Sequence, residues 1–355
     1  MISRRTLLLS GASTLAIAMA GPAIAQARTD FKVAWSIYVG WMPWGYAADA
    51  GIVKKWADKY GLTIEVTQFN DYVESINQYT AGAYDAVTVT NMDALSIPSA
   101  GGVDTTAVIV GDFSAGNDAV FLKGAGTLAD LAGRKVNLVE FSVSHYLLAR
   151  ALDSVGLSEM DVSVVNTADP DMVGAFQTSD VSAMVTWNPM VAEINGLPDA
   201  TKVFDSSQIP GEIIDLMVAS TASLAENPDF GRALAGIWYE TAALMVSDTP
   251  EGAEARAAMG AASGTDQAGF EAQMAATKLF DQAAAAVAFT TSPDLSATMN
   301  LVRAFLFDKG LLGVGAPSAD VIGIELPDGT VLGDAANVKL RFTADYMQMA
   351  ADGAL

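Results

Sequence analysis

Cysteine is absent from all 355 residues, which removes disulfides, zinc–thiolate sites and thiol nucleophiles together. The same absence removes the residue through which many exported proteins carry a lipid tether, so the expectation is a chain without a lipid anchor. Histidine occurs once, at His145. Basic residues are scarce: 19 Lys and Arg stand against 41 Asp and Glu, a net charge of −22. A field of that sign repels nucleic acid and anionic lipid, which makes both poor partners. It favours cationic solutes, although acidic surfaces also serve solubility alone. No metal site is expected, since the sequence contains no D-x-D-x-D-G loop.

The N-terminus reads as an address. Met1 to Arg5 is short and basic, Thr6 to Ala20 carries no charge, and Ala23-Ile24-Ala25 and Ala25-Gln26-Ala27 offer A-x-A cleavage patterns. A basic head, an apolar stretch too short for a membrane span and a small-residue site make a cleavable secretion signal over residues 1–27. Ser3-Arg4-Arg5 also fits the twin-arginine route. Cutting the signal removes Arg4 and Arg5 and leaves −24 from the −22 of the whole chain. With no cysteine to anchor it, the mature protein is expected free in the periplasm.

The remainder is long for one hydrophobic core, which favours two lobes. Short apolar stretches alternate with helical spacing. Phe31–Ile37 reads as a strand, Gly45–Tyr60 as a helix ended by Gly61, Leu62–Phe69 as a strand, Tyr72–Ala81 as a helix, and Asp85–Thr90 and Ala107–Gly111 as strands. After a composition break at Asp112–Asp118 the pattern restarts. Strands are expected at Ala119–Lys123, Lys135–Val139, Val162–Val165 and Ser182–Thr186, with helices at Ser144–Val155 and Asp169–Phe176. Ile213–Ala219 is expected to carry the chain back to the first lobe. Arg232–Ser247, Gln267–Val287 and Leu295–Phe307 read as helices in an alanine-rich tail. Strands each followed by a helix are the α/β signature. The expected organisation is a first lobe from residues 28–114 plus 212–355 and a second from 115–211.

Four segments carry a family likeness. Trp41-Met42-Pro43-Trp44-Gly45-Tyr46-Ala47-Ala48-Asp49-Ala50-Gly51 places a proline and aromatics before a helix and an A-x-x-x-G. Gln78 to Ala86 resembles an L-x-x-G-x-x-D segment, Thr127 to Val136 a T-x-x-D-L-x-G-K-x-V, and Val181 to Pro189 a D-A-x-x-x-W-x-P. In this order they resemble the nitrate/taurine/sulfonate-type substrate-binding proteins of ABC transporters, with their NMT1/THI5-like fold, and within these the urea carboxylase-associated binding proteins. The likeness covers roughly residues 30 to 310. It implies a two-lobed, type II periplasmic binding protein, each lobe a mixed sheet flanked by helices, with a helical C-terminal region. It also implies a monomer without cofactor that binds a small molecule and delivers it to the permease subunits of an ABC importer.

On such a fold the ligand lies between the lobes, at loops leaving the carboxyl ends of strands. The first lobe then offers Tyr38, Trp41, Trp44, Asp71, Asn91 and Asp93, with Asn70 and Glu74 beside them. The second offers Glu140, Ser142, Ser144, His145, Asp169, Trp187 and Asn188. Asp215, near the crossover, is a weaker candidate. None of these loops holds a lysine or arginine, although sulfonates and nitrate need donors of that kind. Carboxylates and tryptophans together suit a small cation, through charge-assisted hydrogen bonds and cation–π attraction of up to ~2 kcal/mol. Guanidinium, planar and able to donate to a carboxylate in pairs, fits best.

Each residue has a structural alternative. Asp71 and Asp93 are placed to cap helices, and Glu74 to be solvated. Glu140 ends an apolar strand, where an unpaired charge is costly, which favours a site role. Trp35 belongs to the core, one of Trp41 and Trp44 to the cleft, and Trp187 to either. His145 opens a helix and reads as structural. An enzyme is disfavoured. The thiamine-pathway pyrimidine synthases that resemble this family need a cysteine-rich motif, and Ser142, Ser144 and His145 lack the G-x-S-x-G of a nucleophile elbow.

Overall fold

A computed structural model describes residues 27–355; the secretion signal expected over residues 1–27 lies outside the described residues, Ala27 aside. The strands are β1 (Asp30–Ser36), β2 (Thr63–Phe69), β3 (Ala86–Thr90), β4 (Thr105–Ser114), β5 (Asp118–Lys123), β6 (Lys135–Leu138), β7 (Ser163–Asn166), β8 (Ala183–Trp187), β9 (Ala200–Asp205), β10 (Ile214–Ser220), β11 (Thr277–Leu279), β12 (Gly323–Glu325), β13 (Val331–Leu332) and β14 (Val338–Phe342). They form two mixed sheets flanked by helices. The first has nine strands in the order β13-β12-β14-β4-β10-β3-β1-β2, with β11 on the end of β4; the second has five in the order β7-β6-β8-β5-β9. Parallel β1, β2 and β3 are connected by helices, while β10 runs antiparallel between β3 and β4. That placement is the return to the first sheet expected of Ile213–Ala219.

The strands are apolar along most of their buried length, as strands buried on both faces are; Asp112, Asp118 and Asp215, near the strand ends, are the buried ionisable exceptions. Val87, Val89, Val108 and Val110 of the first sheet and Val120, Phe121, Leu122, Met184 and Val185 of the second are fully buried. Only two short segments join the sheets, residues 115–117 between β4 and β5 and residues 206–213 between β9 and β10. A knot of serines ties them together. Ser114 and Ser206 share a hydroxyl–hydroxyl bond of 2.6 Å, Gly116 N–H donates to Ser206 Oγ at 2.8 Å, and Ser114 N–H donates to the Ile213 carbonyl at 3.0 Å.

Several sequence expectations need correction. The helix expected over Gly45–Tyr60 is two helices, Met42–Asp49 and Ile52–Lys59, because Gly51 adopts φ +76° between them. That left-handed conformation interrupts the ladder and is cheap only for glycine. The strand expected to end at Gly111 continues as β4 through Asp112, Phe113 and Ser114, all paired with β10 or β11. The Gln267–Val287 helix is broken into Gln267–Met274, β11 and Ala283–Thr290. There Thr277, Lys278 and Leu279 take ladder positions beside β4, and tertiary pairing overrides local helix propensity. Strands β9 and β12 to β14 and the helices Met190–Asn195, Pro250–Ala262 and Asp345–Ala351 have no counterpart among the expected elements.

Candidate functional site

Between the sheets lies a small cavity lined by Tyr38, Trp41, Tyr72, Thr90, Ile213 and Asp215 from the first sheet and its loops, and by Asp118, Val143 and Trp187 from the second. Its free space, ≈ 10 Å³ at the centres of water-sized spheres, is about one water molecule, so the two sides are closed onto each other. Direct bonds cross between them. Val143 N–H donates to Asp93 Oδ2 at 3.3 Å, Tyr72 N–H donates to Asp169 Oδ2 at 3.2 Å, and the Tyr72 and Trp187 rings meet edge to face at 5.7 Å.

Local chain geometry explains the placement. Tyr38 and Trp41 follow the end of β1, Thr90 closes β3, Trp187 closes β8, and Val143 opens the Val143–Ser154 helix after β6. These are carboxyl ends of strands, where loops of an open α/β sheet converge. Tyr72 opens the Tyr72–Thr80 helix; its hydroxyl donates to Asp93 Oδ2 at 2.7 Å and accepts the Thr90 N–H at 3.1 Å. Trp41 packs against Tyr72 at 5.5 Å between ring centres, so Trp41, Tyr72 and Trp187 form a continuous aromatic wall.

Four aspartates are buried in and behind this cavity. Asp215 lies directly across the β10–β4 ladder from Asp112. Asp118 opens β5 and accepts the Ser114 hydroxyl at 2.5 Å. Asp93 accepts from Tyr72, Thr90 and Val143. All four are at most 2% exposed. No lysine, arginine or histidine is among the groups that act on them. Burial pushes the Asp93 carboxyl up to about 6, against the pull of its hydrogen bonds, and burial raises Asp112 and Asp118 to about 7. Asp215 is pushed well above the carboxylate range by burial and by the charges of Asp112 and Asp118. Asp112 and Asp215 lie close enough for a proton on one carboxyl to bond to the other, but no other protein group pairs with either Asp112 oxygen or Asp215 Oδ2, and Asp93 Oδ1, the Tyr38 hydroxyl and Trp41 Nε1 have no partner within the protein. The Tyr38 hydroxyl lies beside Asp215 without a well-aligned bond to it. Unpaired buried polar groups are costly; four of these six are carboxylate oxygens, and two, the Tyr38 hydroxyl and Trp41 Nε1, can donate. Among the described residues no three carboxylate or imidazole groups are arranged to hold a metal ion.

Asp112 owes its position to Gly40. A Cβ at residue 40 would stand 2.3 Å from Asp112 Oδ2 and 2.8 Å from the Tyr38 ring. Gly40→Ala is therefore expected to displace both groups and to cost about 1–3 kcal/mol of stability, read as a fall in urea midpoint with unchanged slope.

Of the residues singled out from sequence, Tyr38, Trp41, Trp187 and Asp215 line the cavity, Asp93 stands one hydrogen bond behind it, and Asp169 accepts the Tyr72 N–H between the two sides. The remaining ones do not line it. Trp44 is buried against Trp238, rings 6.1 Å apart. Asp71 caps its helix by accepting the Glu74 N–H at 2.9 Å. Asn91 pins the start of β10, accepting from Ile214 N–H and donating to the Glu212 carbonyl. Ser142 caps the Val143–Ser154 helix. Asn188 is buried, bonded to Asn117 and Ala192. Glu140 is partly exposed outside the lining, in a turn where the next residue, Phe141, takes φ +65°. His145 accepts the Phe141 N–H at 3.1 Å through Nδ1 and meets Glu159 through Nε2. Burial, aided by the Lys309 charge, lowers His145 to about 4, which keeps the ring neutral at pH 7.

Sequence reasoning misses Asp112 and Asp118, which it places in a break between lobes, and it misses Tyr72. The signal is present. Each aspartate directly adjoins an apolar strand, Ala107–Gly111 or Ala119–Leu122, the same juxtaposition that draws attention to Glu140.

The family model described as NMT1-like matches residues 34–262, more than half of the chain. The chain belongs to the NMT1-like family. It is 26% identical over 191 residues to a binding protein of Brucella abortus, a stretch covering 52% of this chain and 59% of that relative, less than two thirds of its length. The taurine-binding periplasmic protein of Escherichia coli is 28% identical over 110 residues, 30% of this chain and 33% of the relative. Among solved structures, the alkanesulfonate-binding protein SsuA of Xanthomonas axonopodis bound to MOPS superposes with a TM-score of 0.66 at 15% identity, covering 81% of this chain and 96% of that one. The nitrate-binding protein NrtA of Synechocystis superposes at 0.56 and 11% identity, covering 92% and 99%. The fold of this NMT1-like chain is thus that of the two-lobed periplasmic binding proteins. Among the described residues no helix is long and apolar enough to cross a membrane.

Proposed function

We propose that this protein is the periplasmic solute-binding component of an ABC importer and that its solute is a small organic cation, with guanidinium the best fit. The family and fold support the transport role, and the resemblance to urea carboxylase-associated binding proteins is in keeping with a nitrogenous solute. One observation carries the ligand class. The cavity presents Asp118 and Asp215 from opposite sides, backed by Asp93 and Asp112 and faced by the rings of Tyr38, Trp41, Tyr72 and Trp187, and no basic side chain lines it. A sulfonate or nitrate would find no lysine or arginine in the lining, and against any ionised carboxylate there its charge would cost several kcal/mol. A guanidinium ion would give the orphaned carboxylate oxygens N–H donors and lie against π faces. With room for about one water in the cavity as it stands, the ligand-bound closed form is a slightly wider one in which the cation bridges both sides and favours closure by its differential affinity, and the permease recognises that form.

Calorimetric titration of the protein with guanidinium, urea, taurine and nitrate tests this reading. Guanidinium at millimolar concentration or below is expected to bind at least about 100-fold more tightly than taurine or nitrate, the equivalent of ~3 kcal/mol. Tighter binding of taurine or nitrate would keep the transport role and overturn the cationic ligand.

A further inference from the structure

The cavity aspartates sit at the joint between the two sheets. Asp112 and Asp118 flank the first crossing segment, three and one residues from it, and Asp215 is the second residue of β10, just after the second crossing segment. Asp118 is tied to the serine knot of the joint through Ser114, while its N–H also lies 3.3 Å from Ser114 Oγ. Asp215 and Asp112 face each other on adjacent strands next to a register shift at Asp215/Leu216. Asp118 belongs to the second sheet and Asp215 to the first, so closing the sheets brings two carboxylates onto the walls of one small cavity.

We propose that Asp118 and Asp215 form a carboxylate clamp that shuts only with a positive charge between its jaws, supplied either by the ligand cation or by a proton, so that cation uptake expels a proton. This rests on the cationic reading of the site and adds to it a mode of control. The groups facing the clamp from every packed element are Asp112 on β4, Asp93 behind Tyr72 and Thr90, the Tyr38 and Tyr72 hydroxyls, and Ser114 and Ser206 at the joint. None of them supplies a positive charge. Two ionised jaws in so little space repel, and neither can donate a hydrogen bond to the other. A protonated jaw is neutral and has an O–H to donate. When the cation enters, that carboxyl releases its proton to solvent and the resulting carboxylate pairs with the cation, which conserves charge within the clamp. The raised carboxyl values, about 7 for Asp118 and higher for Asp215, are those of jaws that hold protons when closed and empty.

The test is guanidinium binding to the intact mature protein between pH 5 and 8, by calorimetry in pairs of buffers that differ in ionisation enthalpy. Affinity is expected to rise toward tenfold per pH unit from pH 5 to about 7, where Asp118 gives up its proton, and to go on rising above that because Asp215 holds its proton to higher pH. The observed heat should depend on the buffer in the sense of proton release. Small-angle scattering of the ligand-free protein should show compaction on acidification, and Asp118→Asn should remain compact at pH 8 without ligand. Guanidinium binding with pH-independent affinity and buffer-independent heat would overturn the clamp and leave the cationic ligand standing. Binding of taurine or nitrate in place of guanidinium at every pH would overturn both.

Discussion

Asp215→Asn is expected to weaken guanidinium binding by roughly 30- to several-thousand-fold and at the same time to stabilise the ligand-free protein. The first half follows from removing one member of a buried, desolvated charge pair, which costs about 2–5 kcal/mol. The second follows from linkage. A carboxyl whose folded value is raised binds protons more tightly in the folded state than in the unfolded chain. Its contribution is therefore complete below the unfolded value near 4 and is lost as pH rises through the folded value. For Asp112 and Asp118 that loss runs upward from about pH 4 and is complete near pH 7, and for Asp215 it extends to higher pH, because its carboxyl is pushed higher still. The native protein without ligand should thus melt at lower temperature at pH 8 than at pH 5. The amide of the variant carries no charge to bury, so the variant should melt higher than the native protein at pH 8, by at least about 1 kcal/mol or roughly 2–4 °C. Millimolar guanidinium should raise the native melting temperature at pH 8 and leave the variant's unchanged. A variant that loses binding because it is misfolded gives the opposite stability change, so thermal scans with and without ligand separate the two explanations.

This opposition between stability and binding bears on how much the sequence can reveal. Strand positions are legible because apolar runs such as Val87–Val89 and Val120–Leu122 are buried on both faces, and burial of that kind leaves a direct mark in the residue types. The α/β class, the restart of the pattern near residue 118 and the return at Ile213–Ala219 all rest on such marks. The site is less legible because it depends on convergence. Asp112, Asp118 and Asp215 come from three strands on two sheets, and nothing in the local sequence of any one indicates that the other two are near. Glu140 draws more attention than Asp118 although both adjoin apolar strands. What separates them is the turn at Phe141, with φ +65° and its N–H given to His145, after which Glu140 lies outside the lining. That a single residue beyond a strand is lining or not is decided by the turn, and turns of this kind have no clear residue signature outside glycine. The aromatic positions show the same division. Trp41 and Trp44 are one helical turn apart in sequence, yet one lines the cavity and the other stacks on Trp238 from the distant helix Asp229–Met245.

Trp187 carries the second large effect, because it belongs to both the core and the wall of the cavity. Its backbone lies opposite Asp118 in the β5–β8 ladder, and its ring meets Tyr72 from the other sheet at 5.7 Å. At 5% exposure, truncation to alanine is expected to cost about 3–5 kcal/mol of stability, measured as a lower urea midpoint, and to remove one wall of the aromatic box. Stability alone does not distinguish a π face from apolar bulk, so the informative pair is Trp187→Phe against Trp187→Leu. Both leave space and both lower stability by less than the alanine variant. Phenylalanine retains a ring quadrupole, whereas leucine has none. If the ligand is a desolvated cation held partly by the ring, leucine should weaken guanidinium binding by roughly ten- to thirtyfold relative to phenylalanine, the equivalent of ~1.5–2 kcal/mol. Equal loss in the two variants would make the wall a matter of shape alone, and selectivity would then rest with Asp118 and Asp215. A difference between them would mean that charge selection is shared, with carboxylates drawing the cation in and the rings favouring it over a hydrated metal ion of the same charge. The second outcome is the one expected from a cavity that places four aromatic rings beside carboxylates with unpartnered oxygens.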